Sequence, residues 1–418
     1  MKTNNITLKD FVTIEGSDIM EKARKFSQTY IPQLKDAGLW DLWMVTEDCI
    51  DGGHIKLTGN YGENYLRATT FVSNDYLGYS KDSRVVDSGI AALKKFGAGA
   101  CAAPVIGGYL KPQQELERTI ATFLHCEDAL VFSSGFGANA GALLALLHKN
   151  DIAIVDMFAH ASVFEGLYNT NTKITKHNDP EYLDKYLSTI KNKYDTKLVI
   201  VDGVYSQDGD IAPLPELVEV CHRHGAYLLV DDAHGIGVWG KSGRGTIEYF
   251  DLLGKVDFIT GTLSKSMGTI GGFFAGPQNV INYLRLYART SIFSAAPTPQ
   301  VMGSALCSLK LINQEPEKRG IVRQNYRYLN TKLKELGFDT GNTVSQIIPI
   351  KIGNDLKTKT VVRKLLEKGI YTCGITYPGV KLNDARIRLG ILATHTKSDL
   401  DHLLVSLQEI DSKIHIRK

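Results

Sequence analysis

The chain has 418 residues, 43% hydrophobic and 22% charged, which is ordinary globular composition with length enough for one large and one small domain. Its net charge of +3 is too small and too evenly spread to make nucleic acid the main partner, and no apolar run reaches the roughly 18 to 20 residues of a membrane span. The six cysteines are scattered singly, without a CxxC pair or a Cys/His cluster at metal-ligand spacing, so they read as reduced core thiols, no metal is expected, and a cytoplasmic protein is predicted.

Residues 1–67 read as an N-terminal arm. It contains a charged helical stretch, Asp18 to Leu34, and then Gly38-Leu39-Trp40-Asp41-Leu42-Trp43, whose tryptophans serve either as a docking arm or as a staple onto the same chain. Residues 68–300 read as a large domain. From Asp151 onward, short apolar runs (Ile152 to Val155, Leu198 to Val201, Tyr227 to Val230, Phe258 to Ile259) alternate with helix-like segments, the pattern of a largely parallel, helix-covered sheet in an α/β fold. After Pro297-Thr298-Pro299 comes a long amphipathic helix, Val301 to Ile312, then smaller α+β units, so 301–418 is predicted as a small C-terminal domain.

Four motifs fall at strand ends, where open α/β sheets place ligands. Ser133-Ser134-Gly135-Phe136-Gly137-Ala138-Asn139 follows the apolar run Ala129 to Phe132; its small residues suit an anion cradle at a helix N-terminus, and a plain tight turn explains them equally. In Ala159-His160-Ala161-Ser162, an imidazole is set to stack on an aromatic cofactor, or to serve the structure alone. Asp231-Asp232-Ala233-His234 ends the run Tyr227 to Val230, and a buried carboxylate there calls for a cation: a pyridinium nitrogen about 4 Å from Asp231 gains roughly 4 kcal/mol at an effective dielectric of 20, near three pKa units. A structural ion pair satisfies Asp231 as well. Gly261-Thr262-Leu263-Ser264-Lys265-Ser266-Met267-Gly268 sets a lysine among small hydroxyl residues, and a desolvated lysine is the nucleophile that a Schiff base requires.

Gly235-Ile236-Gly237-Val238-Trp239-Gly240-Lys241-Ser242 matches both GxGxxG and GxxxxGK[ST], but no strand runs straight into the glycines and Ser242-Gly243-Arg244-Gly245 is a poor helix start, so nucleotide binding is not predicted.

In this order and spacing the motifs resemble the α-oxoamine synthases of the fold-type I pyridoxal-phosphate (PLP) enzymes, over residues 68 to 410. That family includes serine palmitoyltransferase, 2-amino-3-ketobutyrate CoA ligase, 8-amino-7-oxononanoate synthase and 5-aminolevulinate synthase. Its members condense an amino acid with an acyl-CoA and release CO2 and CoA. The resemblance implies a large α/β/α domain with a mostly parallel sheet, a smaller α+β domain, and a homodimer with shared active sites. It makes Lys265 the Schiff-base lysine, Asp231 the partner of the pyridinium nitrogen, His160 the ring-stacking residue, and His234 and Ser206 the neighbours of the phenolic oxygen. Ser134, Gly135, Phe136 and Thr262 fall to the phosphate of the cofactor, Ser264 to cofactor binding, Ser294 to the phosphate in the neighbouring subunit, and Asn74 and Arg388 to the substrate carboxylate, for which a guanidinium fork is suited. Ser264-Lys265-Ser266-Met267 with Gly271-Gly272-Phe273, and Ala393-Thr394-His395-Thr396, look most like bacterial serine palmitoyltransferases. This implies serine, or a related amino acid such as cysteate, with a long-chain acyl-CoA. Ligase or 8-amino-7-oxononanoate synthase activity, transamination, and a non-catalytic partner subunit are the alternatives. Two positions depart from the family: Gln113 stands where histidine is usual, near the substrate, and Ala296 where a hydroxyl residue is usual.

Overall fold

In the computed structural model, which describes residues 7–11, 18–60 and 66–417, the apolar runs form the strands Asp128–Phe132, Ile152–Asp156, Lys197–Asp202, Tyr227–Asp231 and Phe258–Thr262. They join Asn171–Thr175 and Gly272–Gly276 in one seven-stranded sheet. Its spatial order is Asp128–Phe132, Gly272–Gly276, Phe258–Thr262, Tyr227–Asp231, Lys197–Asp202, Ile152–Asp156, Asn171–Thr175. Gly272–Gly276 is antiparallel to both its neighbours and every other pairing is parallel, so the C-terminal ends of the remaining strands share one edge. Ile152–Asp156 is buried at all five positions, which is why it reads as an unbroken apolar run rather than an alternating one. One core lies against this sheet, built from Leu130, Phe132, Val155, Ile200, Leu229 and Phe274 with Ala138, Ala142 and Leu143 of the helix Gly135–Leu146.

The chain divides into two units, Asn74–Ser206 with Asp210–Val322, and Met1–Ser73 with Gln207–Gly209 and Arg323–Lys418. The seam therefore falls after Val322 and not at residue 300. The reason is the packing of the helix Pro299–Gln314, which lies against Ser83–Phe96 within the first unit at glycine contacts: a Cβ on Gly303 would meet Ala92 Cβ and the Ser88 carbonyl oxygen, both at 2.8 Å. Pro299 occupies the first turn of that helix, so the Pro-Thr-Pro break marks a helix start and not a domain boundary. Gly303→Val is expected to cost about 1 to 3 kcal/mol by overpacking; urea unfolding that shows an unchanged midpoint would contradict this contact.

The second unit holds a four-stranded sheet in the order Val45–Asp51, His54–Thr58, Leu66–Thr70, Ile370–Tyr371, and a three-stranded one in the order Ile347–Gly353, Ala385–Gly390, Cys373–Ile375. Its core joins Phe71 to Leu329, Ile348, Ile387, Leu389 and Leu403. The first residues of the chain thus group with the last, so the stretch predicted as a separate arm shares a unit with the C-terminal segment; residues 1–6, 12–17 and 61–65 of it lie outside the described residues. The charged stretch is the helix Ile19–Asp36, capped by Asp18, whose side chain accepts the Glu21 N–H. Trp43 is 90% exposed and Trp40 only in part, so Trp43 is not a staple onto its own chain. Among the described residues no helix is long and apolar enough to cross a membrane.

Candidate active site

At the C-terminal edge of the seven-stranded sheet lies a cavity of about 320 Å³. It gathers Ser134, Gly135, Phe136, His160, Asp231, His234, Thr262, Ser264 and Lys265 from separate strand ends. Asn139, Ser162 and Asp202, which the sequence reading left without roles, line it too.

One end of the cavity is the N-terminus of the helix Gly135–Leu146. Ser134 is its N-cap and its Oγ accepts the Gly137 N–H at 2.9 Å, so the hydroxyl closes the first turn while the dipole and the remaining N–H groups face the cavity. Glycine is required here by close approach: a Cβ on Gly135 would come within 3.1 Å of the Thr262 side chain, and one on Gly272 within 2.4 Å of Gly135 Cα. Beside it, Thr262 Oγ1 bonds the Gly271 carbonyl at 2.9 Å and Ser264 Oγ at 2.6 Å. Ser294 does not line the cavity; its Oγ is 3.3 Å from that of Ser133, in the exposed turn before the helix.

Asp231 and Asp232 diverge, as consecutive residues leaving a strand do. Asp231 turns into the cavity, where its carboxylate accepts Asn139 Nδ2 at 2.6 Å and the Ala233 N–H at 3.1 Å. Asp232 is fully buried on the other side, accepting the Thr246 N–H at 2.7 Å, and any Cβ added to Gly203, Gly235 or Gly245 would come within 2.3, 1.9 or 1.9 Å of its carboxylate oxygens. Burial raises the Asp232 pKa to about 7. Only Asp231 is presented to a ligand.

Asn139 also donates to Ser162 Oγ at 3.0 Å, which leaves the Ser162 hydroxyl hydrogen for His160 Nδ1 at 2.7 Å. The Ser162 N–H points to that same nitrogen at 3.3 Å, so Nδ1 is an acceptor and the proton of the neutral ring sits on Nε2. His160 is exposed where it lines the cavity. Desolvation lowers its pKa, opposed by the charge of Asp231 and helped by that of Lys265. Phe136 stands edge-on to it, centroids 6.4 Å apart at 80°. One buried amide thus joins the carboxylate at one side of the cavity to the imidazole at another.

Asp202 stands beside Asp231 in register on the neighbouring strand and accepts the His160 N–H at 3.2 Å. Burial, with the negative charge of Asp231 next to it, pushes its pKa well above the usual carboxylate range. Two adjoining carboxylates repel, so a cation beside them in the cavity is favoured. On the far side, Tyr76 Oη donates to Asn74 Oδ1 at 3.1 Å and lies 2.7 Å from His234 Nδ1; having one hydrogen, it then accepts from Nδ1–H. Asn74 and Ser206 are half-buried and do not line the cavity. Arg388 is buried on the strand Ala385–Gly390 of the second unit, opposite Pro349 and Cys373. Gln113 is fully buried, donates to Glu117 Oε1 at 3.1 Å and does not line the cavity. Ala296 is buried, its N–H bonded to the Ala102 carbonyl.

The glycine-rich Gly235–Ser242 stretch is neither a dinucleotide loop nor a P-loop. Gly237, Gly240, Gly243 and Gly245 adopt positive φ in a turn closed by an Ile236–Arg244 bridge, and the next helix, Thr246–Tyr249, has only four residues.

These residues fit PLP. The volume suits a molecule of that size. A helix N-terminus with hydroxyl groups lies toward one end, an ionisable carboxylate in a desolvated setting elsewhere, a neutral imidazole at the wall, and a lysine within the same cavity. Among the described residues no group of His, Cys, Asp or Glu is arranged to hold a metal ion.

The family model for aminotransferase class I and II matches residues 68–407. The 8-amino-7-oxononanoate synthase of Thermoanaerobacter pseudethanolicus is 40% identical over 346 residues, covering 82% of this chain and 88% of that protein. The serine palmitoyltransferase of Bacteroides ovatus is 40% identical over 339 residues, covering 81% and 86%. Among solved structures, the serine palmitoyltransferase of Sphingomonas wittichii superposes with a TM-score of 0.90 at 29% identity, over 96% of this chain and 100% of that one. A serine palmitoyltransferase variant from S. paucimobilis holding PLP and myriocin gives 0.89 at 31% identity over the same shares.

Proposed function

Because the chain belongs to the aminotransferase class I and II family, and within it to the PLP-dependent α-oxoamine synthases, we propose that it condenses serine, or a related small amino acid, with a long-chain acyl-CoA. The fold is that of the fold-type I PLP transferases, the protein is an acyltransferase, and PLP is its cofactor. The observation that carries the residue assignments is the convergence of Lys265, Asp231 and His160 on one cavity that ends at a helix N-terminus.

When bound, PLP supplies an electron sink for negative charge at the amino acid Cα. Lys265 would hold the cofactor, and its Nζ would take the Cα proton and later return it. Asp231, which accepts the Asn139 N–H, would pair with the pyridine nitrogen and favour its protonated form. His160 offers a neutral ring face. Ser134, Gly135 and Phe136, with Thr262, Ser264 and Ser294, take the phosphate. His234 and Ser206 meet the phenolic oxygen, and Asn74 and Arg388 orient the substrate carboxylate. The thioester carbonyl is attacked, CoA leaves, and CO2 is lost. We propose further that two copies of the chain build a shared pair of sites and that the enzyme works in the cytoplasm.

Relatives at 40% identity carry both activities, and those at 35 to 39% are 8-amino-7-oxononanoate synthases, which keeps a second reading in play. The fragment CH3–CH(NH2)– in the name 8-amino-7-oxononanoate is what alanine contributes after decarboxylation, the adjoining carbonyl coming from the thioester, whereas a serine enzyme leaves HOCH2–CH(NH2)– beside that carbonyl. Incubating the enzyme with serine, glycine, alanine and cysteate, each with short, dicarboxylic and long-chain acyl-CoA, and measuring free thiol therefore separates them. Serine or cysteate with palmitoyl-CoA is expected to give the largest kcat/KM. Alanine with a dicarboxylic acyl-CoA as the sole productive pair would move the chain to the other branch.

A further inference from the structure

Two loops carry proposed cofactor residues, His160 in the cavity lining and Ser206 outside it. One, 156–160, ends on His160; the other is the hairpin that carries Ser206, closed by the Val204–Ile211 bridge and by the Tyr205 N–H bonded to the Asp210 carbonyl at 3.0 Å. His177, just after the strand Asn171–Thr175 and outside the cavity lining, stands between them. Its Nδ1 is 3.0 Å from Asp156 Oδ1 and its Nε2 2.6 Å from Asp210 Oδ2. Asp156 ties down its own loop by accepting the Phe158 N–H at 2.8 Å, and it accepts the Asn178 N–H at 2.9 Å. Asn178 Nδ2 reaches the hairpin at Asp210 Oδ2, 3.1 Å, and at the Ile211 carbonyl, 3.2 Å. Tyr205 packs edge-on against the imidazole, centroids 4.4 Å apart at 84°, and Phe158 lies at 4.5 Å on a tilt of 39°.

A neutral imidazole has one N–H and one lone pair, and a lone pair facing a carboxylate at these distances is repulsive. Between two carboxylates, both contacts hold together for the imidazolium, which donates to each.

We propose that His177 is a positioning residue that, as a cation, pins the loop bearing His160 to the hairpin bearing Ser206 and thereby sets the affinity of the cavity for PLP. The assignment rests on the cofactor site proposed above. Burial works against the charge, but the bonds to Asp156 and Asp210 outweigh it and lift the His177 pKa to about 9. The other titratable groups behind this ring are the Tyr205 hydroxyl, pushed well above its usual range by burial and by Asp156, Asp202 and Asp210, and Asp202 itself. Neither supplies a replacement cation. The sign follows: the pin is closed at neutral pH, and it opens as the pH rises through the His177 pKa, when one carboxylate comes to face a lone pair.

The test is the PLP dissociation constant of reconstituted apoenzyme, for wild type and His177→Asn, across roughly pH 6.5 to 10. Loss of charged hydrogen bonds is expected to weaken binding in the variant about tenfold at neutral pH. The ratio of the two constants should then fall toward one above the pKa, because wild type loses the pin there too and any titration of PLP or Lys265 is common to both proteins. A packing defect alone would lower affinity by the same factor at every pH. A ratio near one at neutral pH, or one constant over the range, overturns the proposal. Should His177→Asn fail to fold, Asp210→Asn decides: with one carboxylate gone, the alkaline loss of PLP affinity is expected at lower pH than in wild type, and an unmoved midpoint is contrary. Wild type that binds no PLP at any pH would overturn the cofactor site itself, a result distinct from these.

Discussion

Lys265→Ala is expected to abolish the borohydride-fixed PLP adduct and to lower turnover by more than about a thousandfold, since one side chain is assigned both the covalent link and the proton transfer at Cα. The geometry behind this expectation is specific. Lys265 follows the strand Phe258–Thr262 after Leu263 and Ser264 and lines the cavity with Asp202 and Asp231, two carboxylates that need a cation. The expected loss is confined to this lysine. Lys241→Ala, in the stretch that mimics a P-loop, should leave turnover unchanged, because Lys241 is exposed and outside the cavity lining. Mass spectrometry of borohydride-treated protein reads the adduct directly; a label surviving on the Lys265→Ala variant would place the cofactor elsewhere.

Asp231→Asn is expected to leave the fold intact and to cut kcat by about a thousandfold, the equivalent of the roughly 4 kcal/mol that a carboxylate about 4 Å from a pyridinium contributes at an effective dielectric of 20. The amide is isosteric and its oxygen can still accept the Asn139 N–H, while its NH2 then faces the Ala233 N–H, so what is lost is charge and one acceptor but not shape. Asp202 is poorly placed to substitute, because it already accepts the His160 N–H and is buried. Steady-state kinetics on the PLP-loaded variant, with thermal unfolding of the apo form as the fold control, checks this. Near-normal kcat would mean that Asp231 does not face the pyridine nitrogen.

The strand ends that carry chemistry were legible because each is a short apolar run followed at once by a polar motif, as in Tyr227 to Asp231 or Phe258 to Thr262. Lys265, Asp231, His160 and His234 could be named on residue type and order, and all four line one cavity. Asn139 was quoted only as the end of a turn. It sits one helical turn beyond Gly135, and its partner Asp231 is 92 residues away, a pairing that no local pattern encodes. Asp202 escaped for a related reason: it extends an apolar strand by one residue, and only the register of the sheet sets it beside Asp231. His177 likewise joins aspartates 21 residues before and 33 after it. The seam was misjudged because a Pro-Thr-Pro break looks the same before a helix that stays with its unit as before one that leaves it. The contacts of Gly89 and Gly303 that keep Pro299–Gln314 in place are tertiary.

The central claim is decarboxylating acyl transfer to an amino acid, and the most direct test counts its products. Purified, PLP-loaded enzyme given serine labelled at the carboxylate carbon and palmitoyl-CoA, or the most active pair of the substrate panel, is predicted to release labelled CO2 and free CoA thiol one for one, with PLP unchanged at the end. Conversion of PLP to its amine form without CoA release would contradict the account and identify a transaminase; neither product from any pair would leave a protein that binds PLP without performing the condensation.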